Sequence, residues 1–149
     1  MKRKIKNPKE LKIFAKIILE KIIERKDSKG ASVIVLNGDL GSGKTTFVQQ
    51  IGKILDISEK INSPTFLILK NYKIKNHRLW KQLIHIDAYR LSEKNDFKNI
   101  GLLEELKNPS NLIFIEWGNL IEKNLPTNRQ VQKIIFKYIS EKEREISFQ

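Results

Sequence analysis

Gly38, Gly43, Lys44 and Thr45 stand in the order G-x-x-x-x-G-K-[ST], a spacing whose chemistry is the cradling of nucleotide phosphates. Gly38, Gly41 and Gly43 allow backbone angles that side chains forbid, and they let the main chain come close to phosphate oxygens. Lys44 can reach the β and γ oxygens, and Ser42 and Thr46 lie in the same cradle. The Thr45 hydroxyl is the expected Mg²⁺ ligand beside phosphate oxygens and waters, because Mg²⁺ prefers oxygen and rarely sheds its whole hydration shell.

A loop of this kind works only between a strand and a helix, and both are legible. Val33 to Leu36 is an apolar run of strand type, and Phe47, Val48, Ile51, Ile54 and Leu55 recur at helical spacing directly after the loop. The helix start adds unpaired N–H groups and a partial positive charge, both of which attract phosphate.

Hydrolysis needs more than a cradle: an acid near the metal and a group to orient the attacking water. Asp87 closes the run LIHID and Glu116 closes LIFIE, and in an α/β sheet such strand ends are where ligands bind. Either acid can serve the metal side. His85 points to the face opposite Ile84 and Ile86 and reads as a packed residue before a catalytic one. Trp117 is either core or an aromatic wall of the site, and Thr65 after Pro64 could sense a γ-phosphate as a switch residue does.

The elements that position these residues follow in chain order. Asn7-Pro8-Lys9-Glu10 opens a helix with Asn as N-cap and Pro at its first position, running to about Arg25 with Leu11, Phe14, Ala15, Ile18 and Ile22 as the buried stripe. Thr65 to Tyr72 and Leu83 to Tyr89 read as strands joined by a connection too short for a crossover helix, so they pair antiparallel and the sheet is mixed. Ser92-Glu93 can cap a short helix, Ile100 to Leu106 suggests another, and Ile121 to Leu125 reads as helical up to Pro126. Val131 to Ile139 and Glu145 to Phe148 form a C-terminal hairpin. The expectation is an α/β, P-loop NTPase-like three-layer sandwich with a mixed central sheet, formed as one domain over residues 1–149.

Composition narrows the function classes. The chain has no cysteine, which excludes disulfides and thiolate metal sites. It has no signal-peptide core and no apolar run of about eighteen residues, so the expectation is a cytoplasmic protein without membrane contact. The net charge of +12 comes with 23 Lys, 23 Ile and 12 Asn but only 6 Arg, a bias that an A- and T-rich genome would produce. The lysines are spread out with no aromatic-interleaved basic run, so a generally basic solvated surface is favoured over a nucleic-acid platform.

Taken together, GDLGSGKTT at 38–46, SPTF at 63–66, HIDAYRL at 85–91, GLLEEL from Gly101, IEW at 115–117 and LP at 125–126 resemble, in order and spacing, the TsaE (YjeE) family of P-loop ATPases of bacterial tRNA threonylcarbamoyladenosine biosynthesis. The resemblance spans most of the chain. It implies an ATPase that joins TsaB and TsaD partners and supports transfer of threonylcarbamoyl to adenosine 37 of tRNAs without performing that transfer, meeting tRNA through the complex. It implies that Gly38 to Thr46 bind the ATP phosphates, that Thr45 and Glu116 serve Mg²⁺, and that Asp87, with Lys44, carries hydrolysis. Ser63, Pro64 and Thr65 would form a switch-like segment, and Trp117 would support the site. Two positions depart from the family pattern: Leu11 stands where a Thr near the base is frequent, and Asn119 where an acid often follows IEW.

Two other classes stay open on the residues alone. A small-molecule or nucleoside kinase would share the P-loop but needs several arginines to clamp the phosphoryl group, and only Arg78 and Arg90 lie in the middle of the chain. A non-catalytic nucleotide-dependent module or GTPase-like switch is the other, and no [NT]-K-x-D sequence is present, which favours ATP over GTP.

Overall fold

A computed structural model describes residues 1–64, 68–91, 100–125 and 131–149. The elements are β1 (Lys2–Ile5), α1 (Pro8–Glu24), β2 (Ser32–Asn37), α2 (Lys44–Ile54), β3 (Leu69–Lys73), β4 (Gln82–Asp87), α3 (Leu102–Lys107), β5 (Asn111–Glu116), β6 (Val131–Ser140) and β7 (Glu143–Phe148). Short 3-10 turns cover Ala88–Arg90, Gly118–Leu120 and Glu122–Asn124.

The strands form one seven-stranded sheet in the order β1-β7-β6-β2-β5-β4-β3. β6, β2, β5 and β4 run parallel in the middle, while β3 closes one side antiparallel to β4, and β7 and β1 close the other. The mixed sheet and the C-terminal hairpin are as the sequence predicts. The alternation of each strand sorts its side chains onto two faces. Ile34, Leu36, Leu83, Leu112, Phe114, Ile134 and Phe136 pack with α1 and α2, whereas Val33, Val35, Ile84, Ile86, Ile113 and Ile115 pack with α3 and the 3-10 turns. That gives the three layers.

The helix that carries the loop is anchored by rings. Phe47 of α2 meets Phe14, Phe114 and Phe136 edge-on, with centroids 6.4, 6.3 and 5.7 Å apart. All four are fully or almost fully buried, each contributing about 1.5–3 kcal/mol by burial. α1 starts as its sequence dictates: the Glu10 N–H donates to Asn7 Oδ1 at 2.9 Å, and the Glu10 carboxylate accepts from the Lys6 N–H at 2.8 Å.

One strand is added and one boundary moves. Residues 2–5, whose sequence predicts no element, form an edge strand paired with β7, with Lys2 and Lys4 bridged to Glu145 and Glu143. The strand expected from Thr65 to Tyr72 begins, among the described residues, only at Leu69. Ile68 turns the chain with a positive φ of 60°, its N–H donating to the Pro64 carbonyl. Ile121 to Leu125 is helical as the sequence predicts, in the form of a single 3-10 turn over Glu122–Asn124, with Asn124 N–H bonded to the Ile121 carbonyl. Thr65, the Ser92-Glu93 cap and Pro126 lie outside the described residues. Among the described residues no helix is long and apolar enough to cross a membrane.

Candidate functional site

The parallel register sets the site before any side chain is considered. Asp87 and Glu116 are paired neighbours at the C-terminal ends of β4 and β5, and Leu36 of β2 is paired with Glu116 one residue before the loop departs. Asp87, Glu116 and His85 all point to the α2 face, because they share parity with Leu83 and Phe114. Two acids separated by 29 positions in the chain therefore end up beside the start of α2.

The loop needs its glycines for different reasons. Gly38, at φ 150°, sits at the base of the turn, where a Cβ would come within 2.5 Å of the Phe136 carbonyl oxygen. Gly43 caps α2 in the left-handed region at φ 103°, with no side-chain cap, and a Cβ on Gly41 or Gly43 would meet nothing within 4 Å. The cradle is thus open on the side of the helix start. Leu40 stands at its tip, 90% exposed.

Lys44 folds back over the loop: its Nζ donates to the carbonyls of Gly38 at 2.6 Å and Asp39 at 2.9 Å, and lies 4.3 Å from the centroid of the Trp117 ring. Burial holds the ammonium below the usual lysine range, against the opposing fields of Glu116, Asp39 and Asp87. The Thr45 hydroxyl donates to Glu116 Oε1 at 2.6 Å, and His85 Nε2 lies 2.8 Å from the same oxygen. Burial pushes the Glu116 carboxyl up, but the hydrogen bond and field of His85, the Thr45 hydrogen bond and the Lys44 charge outweigh it, so the group ends below the usual carboxylate range. Asp87 caps the Ala88–Arg90 turn, its Oδ1 accepting from the Tyr89 N–H at 3.0 Å.

Gly41, Gly43, Lys44, Thr45, Thr46, Asp87, Glu116 and Trp117 all line one cavity of about 510 Å³, a size ordinary for ligand pockets. Ser63 is on its wall as well, so the part of the SPTF segment that is described faces the site. Gly38 lies under the loop instead of on the wall, and Ser42, with its hydroxyl buried, lines a second cavity of about 410 Å³. That second cavity runs from Gly41, Gly43 and Thr46 to Leu11, Asn7 and Arg144, between the start of α1 and the β6–β7 hairpin.

The sequence did not place two of the participants, His85 and Tyr89, at the site. His85, read as packing, is fully buried and bonded to Glu116. Tyr89, 64% exposed, lies against Trp117 with ring centroids 5.4 Å apart, and its only signal was its place two residues after Asp87. Trp117 holds its wall position through a positive φ of 58°, while Gly118 behind it passes so close to Val35 that a Cβ would lie 2.2 Å from Cγ1.

The donor set is one of hard oxygen, hydroxyl and carboxylate, suited to Mg²⁺. Among the described residues no cluster of three or more His, Cys, Asp or Glu could hold a metal ion by itself.

Comparison with known proteins agrees with this architecture. The family model described as Threonylcarbamoyl adenosine biosynthesis protein TsaE matches residues 5–146. The chain is similar to the tRNA threonylcarbamoyladenosine biosynthesis protein TsaE of Bacillus subtilis (strain 168), 36% identical over 142 residues that make up 95% of this chain and 80% of that protein. It is likewise 42% identical to the protein of the same name from Treponema pallidum (strain Nichols) over 95 residues, 64% of this chain and 66% of that one. Among solved structures, the crystal structure of Bacillus subtilis YdiB superposes with a TM-score of 0.69 at 32% identity, covering 99% of this chain and 83% of that chain. With a family model spanning nearly its whole length and a fold shared with a relative, the chain belongs to the TsaE family.

Proposed function

We propose that the protein is a Mg²⁺-dependent ATPase that supports the threonylcarbamoyl modification of adenosine 37 in tRNA, working with TsaB and TsaD partners. The observation that carries the catalytic part is the convergence of Lys44, Thr45, Asp87 and Glu116 on one cavity at the ends of adjacent parallel strands. The names borne by the similar proteins carry the pathway.

Lys44 would exchange the Gly38 and Asp39 carbonyls for β and γ phosphate oxygens, and the uncapped start of α2 would add N–H donors. Thr45 and Glu116 would hold Mg²⁺, which when bound neutralises charge on the phosphates. Asp87, at the neighbouring strand end, would orient the attacking water and take its proton. Trp117 and Tyr89 would wall the γ-phosphate side, and the second cavity, lined by Leu11 and Arg144 among others, would receive the ribose and base.

Incubation of the purified protein with labelled ATP and candidate acceptors tests the reaction class. Release of phosphate alone is expected, and labelled acceptor would establish a kinase instead. For the partners, the tagged protein should recover TsaD and TsaB homologues from cell extract with ATP present, and their absence would count against the assembly.

A further inference from the structure

His85 is a polar residue in an apolar place. It is fully buried on the α1 and α2 face of β4, flanked on that face by Leu83 and paired across the sheet with Phe114, both also fully buried. Packing alone would be served there by another Leu or Phe, since burying an imidazole costs free energy for every ring nitrogen left without a partner. Nδ1 has no hydrogen-bond partner among the described residues, so the ring keeps a single polar contact. That contact is Glu116 Oε1 at 2.8 Å.

An ionised carboxylate only accepts hydrogen bonds, so Nε2 must carry a proton in this pair. Glu116 Oε1 then accepts two bonds from opposite elements, one from Thr45 of α2 and one from His85 of β4. Thr45 is exposed to the cavity and able to turn its hydroxyl to an incoming ligand, whereas His85 is sealed behind Glu116 and lines neither of the two cavities. The Thr45 hold is one that ligand binding can change. The His85 hold is fixed.

We propose that His85 is a positioning residue for Glu116: its Nε2–H fixes Oε1 so that the carboxylate meets the nucleotide-bound divalent cation in one orientation, while the ring itself touches neither nucleotide nor metal. This rests on the nucleotide-site reading given above. Partners behind a metal ligand orient it, and their loss costs about 10–100-fold in metal affinity. His85 therefore acts on the Mg²⁺-dependent part of nucleotide binding and leaves the Mg²⁺-free part alone.

Calorimetric titration of the purified protein with ATP, in Mg²⁺ and in chelator, reads that part directly. The factor by which Mg²⁺ tightens binding should fall about tenfold in His85→Leu, with affinity in chelator unchanged. His85→Gln, whose amide can donate from near the position of Nε2, should recover most of the factor. A general structural defect would weaken both affinities together, and thermal unfolding of each variant monitors that. Should His85→Leu fail to fold, His85→Gln and nitrogen-15 NMR of the nucleotide-free wild type decide the matter. A proton on His85 Nε2 supports the assignment and a bare Nε2 overturns it. A wild-type Mg²⁺ effect retained in full by a folded His85→Leu overturns the positioning role alone, whereas a wild type indifferent to Mg²⁺ removes the site reading and the inference together.

Discussion

The two ends of the parallel strands both bury polar side chains, and they use them differently. At the N-terminal end the Trp80 indole N–H donates to Ser32 Oγ at 3.2 Å, and Asn111 Nδ2 donates to the Glu105 carbonyl at 3.1 Å and to its carboxylate at 2.6 Å. Those groups tie β2 to the connection before β4, and β5 to α3. At the C-terminal end Lys44 is turned onto its own loop, and Thr45 and His85 converge on one oxygen of Glu116 beside an open cavity. One end spends its polar groups on neighbouring structure; the other keeps cation, hydroxyl and carboxylates within reach of something that has yet to arrive. Burial of a polar side chain is therefore no guide to function by itself, and the guide is whether its partners border a space.

If that division is real, substitutions at the two ends should separate stability from binding. The largest effect expected is at the closed end. Trp80→Ala empties a fully buried site and should lower stability by about 3–5 kcal/mol in chemical denaturation, while the folded fraction binds ATP within about threefold of wild type. At the open end, Asp87→Ala should reduce turnover by about 10²–10³-fold in a phosphate-release assay with ATP affinity little changed; unchanged turnover would reject the role of Asp87. Lys44→Ala should weaken ATP binding by about 100-fold, since it removes a charge-assisted contact worth about 1.5–3 kcal/mol, and should leave unfolding nearly unaffected. The smallest effect belongs to Ser32→Ala, which strips the acceptor from the Trp80 indole and should cost about 1 kcal/mol of stability with no change in ATP affinity. An ATP affinity that tracked stability through all four variants would dissolve the distinction between the ends.

Most of the site was legible because its signals are local. The loop motif spans eight residues, and Asn7, Pro8 and Glu10 announce a helix start that the structure places at Pro8, with Asn7 as the cap. Strand-end acids are visible as the last residues of apolar runs. What a local pattern cannot contain is register. That Asp87 and Glu116 are paired neighbours, and that Thr45 reaches the second of them, depends on how β4, β5 and α2 dock across more than 40 residues of chain. Alternation along LIHID told which face His85 occupies but not that Glu116 waits on the same face. The edge strand at residues 2–5 was invisible for a related reason: KRKI has one buried residue, and only its pairing with β7 makes it a strand.

The chain's two tryptophans fall one to each end of the sheet, Trp80 sealed in the core and Trp117 under the Lys44 ammonium with Tyr89 beside it. Indole emission responds to nearby charge, so departure of Lys44 from the Trp117 ring would register in the light from one tryptophan while the other stayed constant. The molecule thus carries an optical probe of its cavity together with an internal reference, and Trp80→Phe or Trp117→Phe would assign each part of the spectrum without a dye.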